Sequence, residues 1–207
     1  VRDSGRFGPI EWARAGRPLP SEYTSGDRGI AIDIDGEAAL FALVDGLGHG
    51  PPAAEAALRA VDTVTAAGAE PIEVLIQLCH RALEGTRGVA MTLARIDFAA
   101  NTLTWTGVGN VTAHLVAKAP TGTEVRSSAR LAGGIVGYRI PEIRPAQVVS
   151  IRPGDLLVMR TDGTNTWTTS TSPPPPWPSP KVCWARTPRR PTTPWCWPPG
   201  TGEPRHE

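Results

Sequence analysis

The sequence predicts an α+β domain in which strands come first, two helices follow, and strands return, with largely antiparallel pairing. Three observations carry that reading. Two apolar runs, "GIAIDI" (29–34) and "EAALFALV" (37–44), are joined by Asp35-Gly36, and Asp-Gly between such runs is a strong tight-hairpin signal. Residues 52–67 and 71–84 then have helical composition and spacing. After them come apolar stretches of strand length with no further helix, which excludes a regular βαβ alternation.

Taken in order, the 29–34 and 37–44 strands turn on Gly36, which accepts positive φ at little steric cost. The helix over 52–67 is Ala-rich, and Pro51-Pro52 sit where a first helical turn tolerates missing N–H groups. The helix over 71–84, "PIEVLIQLCHRALE", places Val74, Leu75, Leu78, Cys79, Ala82 and Leu83 on one predicted apolar stripe. The returning strands are "VAMTLARIDF" (89–98), "TLTWTGV" (102–108), "VTAHLVA" (111–117), "QVVSI" (147–151) and "DLLVMRT" (155–161).

Composition bounds what such a domain does. The chain has 207 residues, 40% hydrophobic and 20% charged, which suits one domain with its own core. Net charge is +1, so bulk electrostatics favours neither nucleic acid nor an anionic membrane as partner. No apolar run approaches the ~20 residues of a membrane span, and "VRDSGRFGPI" lacks a signal-peptide core. Cys79, Cys183 and Cys196 make an odd set without a close CxxC pair. Disulfide frameworks and zinc sites are therefore disfavoured, and a reducing cytoplasm is the expected location.

The organisation is uneven. Residues 1–167 read as the globular domain and residues 168–207 as an irregular tail. That tail holds 12 of the 22 prolines and 4 of the 7 tryptophans, with no Leu, Ile, Phe, Tyr or Met. A stretch such as "TTSTSPPPPWPSP" lacks the amide donors for a regular ladder.

Function centres on "FALVDGLGHG" (41–50), where an apolar strand runs out on Asp45. A lone carboxylate at the end of a buried strand is costly unless it is paired or bound to a cation. Asp27, in "SGDRG", and Asp162, in "RTDG", also stand at strand ends beside glycine. Three such aspartates converging on one sheet edge make an oxygen-only ligand set suited to Mg²⁺ or Mn²⁺. Gly46, lacking Cβ, lets its carbonyl approach such an ion. Asp35 is assigned to its turn, and "DIDGE" lacks the Thr of an aspartyl-phosphate site. A dinucleotide-binding reading of the glycine loop fails on the spacing of Gly46, Gly48 and Gly50 and on the helix, not strand, that follows α-helical residues 52–67.

"SGD" before a hairpin, "FALVDGLGHG" before an Ala-rich helix, "GVAMTLARID", "WTGVGN", "GGIVGY" and "RPGDLLVMRTDG" occur in this order. Together they resemble the SpoIIE-type branch of the bacterial metal-dependent (type 2C-like) serine/threonine phosphatases, and within it the small stand-alone RsbX-like members, over about residues 10–165. The resemblance implies a β-sandwich flanked by helices (αββα layers) with two Mn²⁺ or Mg²⁺ ions at one end. It implies that Asp45 bridges the ions, the Gly46 carbonyl binds one, Asp162 binds the other and Asp27 contacts the cluster. It implies hydrolysis of phosphoserine or phosphothreonine by a metal-activated water. The implied substrate is a phosphorylated anti-sigma-factor antagonist or stress-sensing scaffold protein. In larger relatives a histidine directly follows the bridging Asp-Gly; that place is Leu47 here, and His49, two residues on, is the candidate general acid.

One departure shapes the expectation. The family's closing strand carries a further metal-binding aspartate, whereas this chain has no Asp after Asp162. The closing strand is expected to be lost to the Pro/Trp tail, with a changed reading frame past about residue 165 as the preferred origin. A non-catalytic binding module that keeps the fold is the alternative function.

Overall fold

The computed structural model describes residues 2–16, 25–119, 122–140, 142–143, 145–162 and 166–171. The hairpin of β1 (Arg2–Phe7) and β2 (Ile10–Ala15) precedes that of β3 (Asp27–Ile34) and β4 (Ala38–Gly46). Helices α1 (Pro51–Ala66) and α2 (Ile72–Ala82) follow. Then come β5 (Val89–Asp97), β6 (Thr102–Val108), β7 (Thr112–Ala119), β8 (Gly122–Ser128), β9 (Leu131–Ala132), β10 (Gln147–Ser150), β11 (Leu156–Arg160) and β12 (Thr166–Thr171). One sheet runs β10-β6-β5-β4-β3 with β9 alongside β6; the other runs β1-β2-β12-β11-β7-β8. Apart from the β6–β9 pair every ladder is antiparallel.

Two apolar cores explain the layering. Phe41, Leu43, Ala94, Leu103 and Trp105 of one sheet pack against Ile10, Ala113, Leu115, Leu157 and Met159 of the other. On the opposite face of the first sheet, Leu40, Val44, Met91 and Leu93 pack against Ala56, Ala57, Ala60 and Val64 of α1 and Leu75, Ile76 and Cys79 of α2. β4 is thus buried on both faces, which is why its sequence is continuously apolar instead of alternating. Burying Phe41 and Trp105 completely contributes about 2–3 kcal/mol each. The expected sandwich flanked by helices is present, and among the described residues the helices cover one face only, giving α, β and β layers. Among the described residues no helix is long and apolar enough to cross a membrane.

The hairpin signal acts as anticipated, with one addition. Asp35 and Gly36 both have positive φ (54° and 71°), and the Glu37 amide donates to the Ile34 carbonyl at 2.9 Å. Ile34 then pairs with Ala38, so Glu37 is a third turn residue. α2 is rotated from the expected stripe: it buries Ile72, Leu75, Ile76 and Cys79, while Val74 and Leu78 are only partly covered. Burial pushes the Cys79 thiol up to about 12. Arg95 of β5 donates to the carbonyls of Gly68, Ala69 and Glu70, anchoring the C-terminal end of α1 to the sheet.

The chain divides into two units, Val1–Pro174 and Pro175–Glu207, and every described residue lies in the first. Residues 168–171, expected to lie in the irregular tail, instead belong to a strand. The backbone of β12 lies between β11 and β2 and pairs with both, so β11 is not left as an open edge. Backbone ladders need amides more than particular side chains, and "TWTTST" contains no proline. The rest of the tail, residues 172–207, and with it the changed-frame reading, lies outside the described residues.

Candidate metal centre and active site

Alternation along β4 places Asp45. Leu40, Ala42 and Val44 face the helices, Ala39, Phe41 and Leu43 face the second sheet, and Asp45 continues the latter series where the interior runs out. On β3 the same parity runs from Ala31 back to Asp27. The ladder sets Asp27 directly opposite Asp45. The Gly46 amide donates to the Gly26 carbonyl at 3.0 Å, so Asp27 and Asp45 form the adjoining non-hydrogen-bonded pair, in which side chains approach most closely.

The third carboxylate comes from the other sheet. Thr161 and Asp162 follow directly on β11, and the buried Thr161 donates its hydroxyl to Asp27 Oδ2 at 3.0 Å, tying the sheets together at the site. Asn110, in the turn between β6 and β7, donates Nδ2–H to Asp162 Oδ2 at 2.9 Å. The Asp27 amide donates to Ser25 Oγ at 3.2 Å. Thr161, Asn110 and Ser25 have no part in the sequence reading. The available signals are their positions beside Asp162 in "RTDG", at the end of "WTGVGN" and before Asp27 in "SGD".

Asp27 and Asp162 both act on the Asp45 carboxyl. Burial, then the charge and hydrogen bonding of Asp27, then those of Asp162, push the Asp45 carboxyl up to about 7. Every contribution raises it, so among the described residues no cationic side chain offsets the rise. A half-buried carboxyl that meets two other carboxylates does not ionise cheaply. Among the described residues no three His, Cys, Asp or Glu side chains stand together as a ready metal cage; the aspartates meet pairwise, through Asp45. The donor set nevertheless fits a hard divalent cation, because it is oxygen-only and built of carboxylates.

Gly46 is explained by packing. A Cβ there would stand 2.1 Å from the Ala53 carbonyl oxygen, so glycine lets the first turn of α1 seat against β4. Pro51 and Pro52 open that helix as anticipated, with Gly50 as its N-cap. His49 is exposed on the turn between β4 and α1 and is not among the groups that set the charge of Asp45.

Residues 35–166, more than half of the chain, match the family described as stage II sporulation protein E (SpoIIE). The chain belongs to the SpoIIE family. This SpoIIE-family chain is 28% identical over 134 residues to phosphoserine phosphatase RsbX of Bacillus subtilis (strain 168). That alignment spans 65% of each protein, just under two thirds of the relative's length. A crystal structure of RsbX in complex with magnesium superposes with a TM-score of 0.71 at 18% identity, covering 83% of this chain and 100% of that one. The PP2C phosphatase domain of SpoIIE from Bacillus subtilis gives 0.60 at 21% identity, covering 77% and 47%. A chain from the bacterial stressosome gives 0.66 at 22% identity, covering 77% and 97%. These likenesses show that the fold is that of PP2C-type phosphatases; function rests on the site.

Proposed function

We propose that this SpoIIE-family chain is a divalent-metal-dependent serine/threonine phosphatase acting on a phosphorylated regulatory protein of a bacterial partner-switching pathway. The observation that carries the reading is the opposition of Asp27 and Asp45 with Asp162 closing on them from the second sheet. The similarity to phosphoserine phosphatase RsbX supports the reaction, and the magnesium complex of RsbX supports the cofactor class. The stressosome likeness supports a regulatory-protein partner, such as an anti-sigma-factor antagonist or a stress-sensing scaffold, and the cysteine pattern supports the cytoplasm as the location.

In this reading Asp27, Asp45, the Gly46 carbonyl and Asp162 would together hold two Mn²⁺ or Mg²⁺ ions. Bound there, the ions acidify water and neutralise charge on a phosphoryl group. The protein supplies orientation: Thr161 holds Asp27, Asn110 holds Asp162, and α1 seated on Gly46 fixes the loop beside them. His49, four residues after Asp45, is the side chain to test as proton donor to the leaving serine.

Mn²⁺-dependent hydrolysis of p-nitrophenyl phosphate, and of phosphoserine on an intact antagonist protein, tests the proposal. Activity that chelation removes and Mn²⁺ restores supports it. A folded chain that binds Mn²⁺ but hydrolyses neither substrate is a binding module on the same fold, and the phosphatase reading fails.

A further inference from the structure

Arg87 stands at the same sheet end as the aspartates. Gly46 of β4 pairs with Val89 of β5, and the Leu47 amide donates to the Gly88 carbonyl at 3.0 Å. That stitching carries residue 87 to the rim of the 47–50 loop. Its backbone is fixed on both sides. Thr86 donates its hydroxyl to the Leu83 carbonyl at 2.7 Å and accepts the Gly88 amide at 3.0 Å. Gly88 has φ 76°, and a Cβ there would stand 2.6 Å from the Val136 carbonyl oxygen, so a side chain there would displace the segment around Val136.

The Arg87 side chain is exposed, yet it lies back over the glycine loop. A Cβ added at Gly48, itself at φ +88°, would stand 2.7 Å from Arg87 Nη1. Among the described residues Arg87 makes no hydrogen bond and no ion pair. A guanidinium over the loop that follows Asp45, without an ion pair to any of the aspartates, keeps its planar fork of donors open to another anion. The neighbouring helix end does not fill that role. α1 begins with Pro51 and Pro52, which remove two of the amides that a helix N-terminus ordinarily offers to a phosphate.

We propose that Arg87 is the substrate-binding side chain that clamps the phosphate monoester beside the aspartate centre. The proposal rests on the phosphatase reading for the identity of the substrate, not for the binding itself. Glycine at position 48 then has a second purpose, since any side chain there would displace the guanidinium.

The test is a titration of the full-length chain with inorganic phosphate in the presence of Mg²⁺, followed by phosphorus NMR, alongside a Mg²⁺ titration by calorimetry. Losing a charge-assisted bidentate contact should weaken phosphate binding about tenfold or more in Arg87→Ala. Arg87→Lys, which keeps the charge but not the fork, should fall between. Mg²⁺ affinity should stay within about twofold of the unmodified chain. The proposal is overturned if Arg87→Ala binds phosphate normally, if it loses Mg²⁺ and phosphate together, or if the unmodified chain binds no phosphate. Phosphate binding requires no turnover, so the two readings separate. A chain that binds phosphate through Arg87 but hydrolyses no phosphoprotein retains the clamp and loses the enzyme. One that hydrolyses phosphoprotein while Arg87→Ala keeps normal phosphate affinity retains the enzyme and loses the clamp.

Discussion

Asp27 and Asp45 stand opposite each other in a non-hydrogen-bonded pair of the β3–β4 ladder, at the end of a strand whose preceding seven residues are all buried. Like charges in that arrangement oppose strand pairing. The metal-free fold accommodates them by keeping a proton on Asp45 up to about pH 7. The site is therefore built against stability, and that tension can be measured.

The first consequence is a pH dependence. The Asp45 carboxyl rises from 3.8 in the unfolded reference to about 7 in the folded chain. Between those values the folded state binds the extra proton, so the contribution of Asp45 to the stability of the metal-free protein is full below about pH 4 and declines as pH rises towards 7. Saturating Mn²⁺ should flatten this slope and release protons on binding, with affinity improving up to about pH 7. Urea midpoints across pH, with and without Mn²⁺, check this; equal slopes would remove the shared cation site.

Asp45→Asn separates activity from stability. It should abolish Mn²⁺-dependent hydrolysis and eliminate at least one calorimetric metal site. At pH 8 the metal-free variant should nevertheless be more stable than the unmodified chain, by roughly 1–2 kcal/mol after discounting a partly exposed group for solvent screening. An active variant would end the two-ion assignment.

Thr161 and Asn110 act on the aspartates and predict a graded loss. Thr161→Val keeps shape but removes the bond to Asp27, costing about 1–3 kcal/mol at a buried position. Asn110→Ala, at an exposed position, should leave the melting temperature nearly unchanged. Both should lower Mn²⁺ affinity or turnover about 10- to 100-fold, the usual effect of removing a group that orients a metal ligand. Unchanged Mn²⁺ titrations would assign these bonds to the fold alone.

The parts of the molecule that were legible in the sequence are those whose signal is local. β3, β4, β5, β6 and β11 are apolar runs, and both helices have periodic faces. β1, β2, β8 and β12 were not anticipated. "RDSGRF" and "GTEVRSS" are polar, largely exposed strands at the two edges of one sheet, and "TWTTST" is recruited by ladders on both sides. What makes them strands is their neighbours' backbone. The aspartates were legible as strand ends, but their opposition was not. A two-residue Asp35-Gly36 turn would have set Asp27 against Val44; the added Glu37 shifts the register by one and brings Asp45 opposite. Thr161 reaches Asp27 across 134 positions of sequence, a relationship that only the packed sheets create.

Gly46 and Gly36 predict opposite outcomes for the same substitution. At Gly46 a Cβ meets the Ala53 carbonyl oxygen at 2.1 Å, so Gly46→Ala must push α1 off β4. A loss of about 3 kcal/mol and of Mn²⁺ binding is expected. At Gly36 no atom lies within 4 Å, and only φ +71° resists, so Gly36→Ala should cost about 1 kcal/mol with metal binding intact. Denaturant midpoints and Mn²⁺ calorimetry on the pair check the contrast; normal metal binding in Gly46→Ala would detach the helix from the site.

The last prediction concerns where the folded unit stops. β12 pairs along its length with β11 on one side and β2 on the other, from Thr166 opposite Arg160 to Thr171 opposite Ile10. A chain ending at Pro174 keeps both ladders and should match the full chain in melting temperature and Mn²⁺ affinity. A chain ending at Asp162 keeps all three aspartates but strips two ladders, leaving β11 and β2 with unpaired amides and carbonyls facing each other across a missing strand. It should aggregate, or melt far lower, and lose Mn²⁺ binding although no ligand has been removed, because Thr161 and Asp162 hang on the end of β11. If the chain ending at Pro174 also fails to fold, residues 175–207 contribute to the domain and the boundary drawn at Pro174 is wrong. If the chain ending at Asp162 folds and binds Mn²⁺, β12 is dispensable, and the sandwich closes without it.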